Sequence, residues 1–89
     1  MAATLYTCDG SISELSQPIT LKTLQEAVKG YIELVPRLYF RAKGKVMLAN
    51  EDGGSMGLDL NRRATTLCHG YPILGDVVVM DEGDFKTVV

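Results

Sequence analysis

The chain has 89 residues, 46% hydrophobic and 22% charged, with a net charge of -2 from 9 basic and 11 acidic side chains. A chain of this length holds one domain with one core, burying roughly 60–65% of its extended surface, and such ordinary usage excludes disorder throughout. The charge balance excludes a general nucleic-acid binder, whose phosphate contacts need surplus Lys and Arg, and is too mild for a polyanionic DNA mimic.

Apolar runs such as residues 77–80 fall far short of the roughly 18 residues needed to cross a bilayer. Residues 1–17 lack a basic start followed by an apolar block, so the expectation is a soluble intracellular protein without a membrane partner. Cys8 and Cys68 are isolated thiols without CxxC spacing and are expected to be free.

Residues 3–8 (ATLYTC) are β-rich, and Asp9-Gly10 is a turn dipeptide of the hairpin type. Residues 11–17 form a weaker return strand, ended by Pro18. A helix is predicted over residues 20–29: Leu21, Leu24 and Val28 share one face, Lys22, Gln25, Glu26 and Lys29 the other. Thr20 is placed to cap its start and Gly30 to supply a left-handed end.

Beyond Gly30 the period changes to two, which predicts the longest strand over residues 31–40. Ile32, Leu34, Leu38 and Phe40 share one face; Tyr31, Glu33, Arg37 and Tyr39 share the other, with Arg41 continuing it. Pro36 implies an edge position or a bulge.

Residues 42–44 turn the chain, and residues 45–50 (KVMLAN) return as a strand. Residues 50–54 (NEDGG) make an acidic turn. A short strand is expected at residues 56–60 and an Asn61-capped short helix at residues 61–67. Residues 68–75 read as a loop. Residues 77–80 (VVVM), apolar on both faces, suggest a central strand covered on each side. Residues 85–89 are expected to close a final hairpin. The predicted fold class is α+β: a mostly antiparallel twisted sheet of five to six strands, one main helix and a second short one, in the order β-β-α-β-β-α-β-β.

The strings LQEAVKGYIE, NEDG, GLDLNRRAT and GDVVV together resemble a small domain family of unknown function met in bacteriophages, mobile elements and large DNA viruses of green algae. The likeness spans about residues 20–80. It is carried by Leu24, Gln25, Gly30, Tyr31, Ile32, Glu33, Asn50, Glu51, Asp52, Gly53, Gly57, Leu58, Asn61, Ala64, Thr65, Gly75 and Asp76. The sequence departs from the family pattern in the aromatic and basic segment 35–43, and in an added Gly and Ser55 after the acidic turn. The resemblance implies a viral or mobile-element setting in the host cytoplasm and no assigned reaction.

Two cations, Arg62 and Arg63, just inside a helix start oppose the local dipole and need a negative group nearby. One reading is an anion or ligand site in which Asn61, Arg62 and Arg63 grip phosphate or carboxylate, with Thr65 and Tyr31 contributing. The other is that Asp59, Glu51 or Asp52 of the same chain supplies the charge.

Asn50, Glu51 and Asp52 offer too few oxygens, at the wrong spacing, for a hard cation. Cys68-His69 is the one place where thiol and imidazole are neighbours, yet adjacent residues of an extended chain point opposite ways. No catalytic, metal or cofactor motif stands out, and whether Glu33 lies near Glu51 depends on a pairing that the sequence does not state.

Tyr31, Glu33, Arg37, Tyr39 and Arg41 are residue types enriched at partner interfaces; equally, they suit a half-covered sheet face. The leading expectation is a non-enzymatic accessory protein binding a host macromolecule, with a homodimer through the Tyr31/Tyr39 face. The alternative is sequestration of a nucleotide or cyclic nucleotide at an oligomer interface, and the third is a small enzyme of unknown reaction.

Overall fold

The computed structural model describes residues 2–16 and 18–89. They form an antiparallel sheet of β1 (Ala3–Tyr6), β2 (Ile12–Glu14), β3 (Ile32–Leu34), β4 (Lys45–Asn50) and β5 (Val77–Asp81), ordered β2-β1-β5-β4-β3. Three helices accompany it: α1 (Leu21–Val28), α2 (Arg62–Leu67) and α3 (Glu82–Val88). The class is α+β, with β5 at the centre of the sheet.

Alternation along β4 and β5 builds two cores, one on each face. Val46, Leu48, Val78 and Met80 meet Leu24 and Val28 of α1, with Phe85 and Val88 of α3 packed beside them. Met47, Ala49 and Val77 face the other way, onto Ala64 of α2, onto Cys68 just past its end, and onto Val35, Phe40 and Ile73 from loops. Removing Leu24 and Val28 fully from water contributes about 1.5–3 kcal/mol each. Leu21, the third member of the predicted stripe, is the first residue of the helix and is 40% exposed.

The start of α1 is capped at Thr20, whose hydroxyl accepts from Thr23 N–H at 3.2 Å. Its end differs from expectation, since the left-handed residue is Lys29 at φ 65°. Lys29 N–H donates to Glu26 O and Gly30 N–H to Gln25 O, which closes the last turn. Gly30 serves another purpose: a Cβ there would lie 2.6 Å from Asn50 Nδ2, the atom that donates to Val28 O and Lys29 O and ties β4 to the helix end.

Three expected strands take other forms. The long strand over residues 31–40 stops at Leu34, because Pro36 cannot donate to a ladder and its carbonyl accepts both Tyr39 N–H and Phe40 N–H in a tight turn. Phe40 is thereby carried into the α2-side core, away from Ile32, while Leu38 is left exposed.

Residues 56–60 do not form a strand. Met56 N–H donates to Asp52 O, Leu58 N–H to Gly53 O, and Gly57 has φ 67°, so turns run through the segment and only a Leu60–Leu74 bridge remains.

The final hairpin is instead α3. Glu82 and Asp84 lie in its first turn, where the helix dipole favours them, and Phe85 and Val88 at i, i+3 spacing reach the α1-side core. Glu82 N–H donates to Gly44 O, fastening that helix to the β4 turn.

Candidate functional site

Strand β3 is one of the two sheet edges, and the register settles which of its backbone groups are free. Glu51 N–H donates to Tyr31 O and Val35 N–H to Met47 O, so Tyr31, Glu33 and Val35 point their amides and carbonyls at β4. The N–H and C=O groups of Ile32 and Leu34 therefore project from the open edge.

On the face away from α1, β3 borders a cleft of about 200 Å³. Val35, Ala49 and Ile73 line it with apolar surface, Tyr71 and Pro72 form part of its boundary, and Glu33 and Glu51 supply two exposed carboxylates. Neither carboxylate has a hydrogen-bonded or ionic partner among the described residues. The Tyr71 ring stacks on Tyr39 with centroids 3.7 Å apart and planes 12° from parallel, which steadies the loop.

Such an arrangement can receive a cationic side chain with an apolar stem. Tyr71 and the 71–74 loop were not anticipated from sequence, since a stack between Tyr39 and Tyr71 depends on how two loops meet. Tyr71-Pro72 within the loop was the only local signal.

The predicted partner-binding residues do not form one strand face. Glu33 lines the cleft, whereas Tyr31, 67% exposed, borders a shallow groove with Lys22, Gln25 and Lys29 of the α1 end. Tyr39 is half-buried beneath Tyr71. Arg37 binds Glu82 at 2.9 Å and holds the Glu82 carboxyl below its ordinary range, while Arg41 Nε donates to Leu38 O at 2.9 Å. A homodimer through a shared Tyr31/Tyr39 face accordingly lacks that face.

The predicted ligand residues also separate. Asn61 is wholly buried: its Oδ1 accepts Ala64 N–H at 3.0 Å, capping α2, and its Nδ2 donates to Tyr6 O and Gly75 O, both at 3.0 Å. Thr65 Oγ1 accepts Ile73 N–H at 3.0 Å, a second internal task. Arg62 and Arg63 are exposed beside Gly10 and Thr66, with no carboxylate within 4 Å among the described residues. Neither the ligand reading nor the intramolecular ion pair with Asp59, Glu51 or Asp52 is completed there. Tyr31 stands across the sheet, with β5 and β4 between it and β1, to which Asn61 is tied.

Cys68 is buried, 3.6 Å from Met47 Sδ, and burial raises its thiol pKa; His69 is exposed at φ 57°. The neighbours point apart and do not form a nucleophile–base pair. Among the described residues no three His, Cys, Asp or Glu side chains gather as a metal site, and no helix is long and apolar enough to cross a membrane.

A family model described as a domain of unknown function, DUF3846, matches residues 5–88. The chain belongs to that family. Comparison with curated proteins and with solved structures finds no match.

Many residues that carried the resemblance are joints of this DUF3846 domain. Gly30 makes room for Asn50, Asn50 and Asn61 each bind two backbone carbonyls, and Gly75 has φ 86°. Asp76 accepts Cys8 N–H at 2.9 Å and pairs with Lys29 at 3.4 Å. Glu33 and Glu51 have no such task.

Proposed function

We propose that this DUF3846 domain is a non-enzymatic binding module that captures a host protein through the open side of β3. The observation carrying the reading is that the free backbone groups of Ile32 and Leu34 stand beside a cleft rimmed by Glu33 and Glu51. Exposed apolar side chains at Leu34 and Leu38, 46% and 66% accessible, extend the surface. A phage or mobile-element setting in the host cytoplasm is part of the proposal and rests on the sequence resemblance.

The experiment is capture from a host lysate with three immobilised proteins: wild type, Glu33→Arg with Glu51→Arg, and Arg62→Ala with Arg63→Ala. The expected result is a partner retained by the first and third and lost by the second. Retention by the carboxylate variant refutes the reading.

A second reading, sequestration of a nucleotide or cyclic nucleotide, is favoured by one observation: Arg62 and Arg63 have no carboxylate partner among the described residues. Against it stand the internal bonds of Asn61 and Thr65. A thermal-shift panel of nucleotides tests it, stabilisation lost in the double-arginine variant being the supporting result.

A further inference from the structure

We infer that β3 receives an extended, basic segment of the partner, added as a sixth strand whose core is apolar–Lys/Arg–apolar. This deepens the binding reading above by naming the partner's chemistry.

An edge strand is completed by main-chain pairing, and specificity comes from alternate side chains. Only Ile32 and Leu34 have outward donors and acceptors, so in an antiparallel addition, the pairing used throughout this sheet, the two partner residues opposite them make the hydrogen bonds. The residue between those two then lies opposite Glu33, in a non-hydrogen-bonded pair where side chains approach most closely. It shares the face of Glu33 and enters the cleft, where Glu51 is a second carboxylate. A Lys or Arg there meets two charges that the described chain leaves unmatched. Its neighbours fall on the other face, beside half-buried Ile32 and exposed Leu34, which favours apolar side chains.

A second copy of this chain suits the edge poorly. The two-fold pairing that uses all of β3 sets Glu33 against Glu33 of the other copy, a destabilising like-charge pair. Shifting one way meets Gly30, whose N–H is already given to Gln25 O; shifting the other way meets Pro36, which has no N–H.

The test is selection of a displayed random heptapeptide library against the wild-type chain, then titration of synthetic selected peptides. Expected are a central basic residue with apolar neighbours, and slowed deuterium uptake at the Ile32 and Leu34 amides. N-methylating either apolar neighbour should weaken binding about tenfold, the effect of losing a main-chain hydrogen bond, while N-methylating the basic residue's own outward amide should leave it unchanged. Glu33→Arg with Glu51→Arg should abolish binding of these peptides.

Selection without a central basic residue, or of no peptide, overturns the inference. So does a dimer in light scattering at high micromolar concentration that is lost in Leu34→Pro. If host capture depends on Glu33 and Glu51 but the N-methyl series is flat, the binding reading stands and strand addition falls. If neither capture nor peptide binding responds to the two carboxylates, both fall.

Discussion

Replacing Asn61 separates a structural amide from a ligand-binding one. In Asn61→Ala the Ala64 N–H loses its cap, costing about 1 kcal/mol. Tyr6 O and Gly75 O each lose a donor at 3.0 Å, at about 1 kcal/mol apiece. The sum is about 3 kcal/mol, a large share of the roughly 4–13 kcal/mol available to a domain of this size.

Asn61→Asp is the sharper variant. Asp is as good a helix cap as Asn, but here it would turn an acceptor toward the Tyr6 carbonyl, in a part-buried contact, and the Gly75 carbonyl, in a buried one, so destabilisation at least equal to that of Ala is expected. Urea unfolding followed by circular dichroism measures both through the shift in midpoint at constant slope. If Asp costs less than about 0.5 kcal/mol, Asn61 is only a cap and the tie from α2 to β1 is wrong.

Gly30→Ala should cost about 1–3 kcal/mol in the same assay, because the new Cβ displaces the Asn50 amide from two carbonyls. Gly54→Ala, with open space around it, should change stability by less than about 0.5 kcal/mol.

Asp9 is held at a pKa of about 2 by the Thr7 hydroxyl and then by the Ser11 N–H. A depressed carboxyl stabilises the folded hairpin above its unfolded value of 3.8 and ceases to as pH falls toward about 2. Carboxyl-carbon NMR should show that late midpoint, moved up toward but still below 3.8 in Thr7→Val, which keeps the Ser11 N–H bond. Native thiol labelling read by mass spectrometry should modify Cys8 before Cys68, which reacts only in denaturant; Cys68 labelling in the folded protein refutes its burial against Met47.

What the sequence determined by itself was local. Apolar spacing at Leu24 and Val28, the Thr20 and Asn61 caps and the unbroken VVVM run each report a preference within a few residues, and each element formed where its pattern lay. Phe40 and Phe85 show the limit. The first fits a strand period and the second a terminal hairpin, but Pro36 turned one and the docking of Val88 made a helix of the other.

Only the tertiary structure decided the site. Glu33 and Glu51 meet at one cleft because β3 pairs with β4 in a single register, and Tyr71 bounds that cleft because two loops stack. The same packing drew Asn61 and Thr65 inward, where distant backbone groups claimed their polar atoms. Capping and periodicity are written along the chain, whereas which side chains remain free for a partner depends on contacts between segments that no local pattern records.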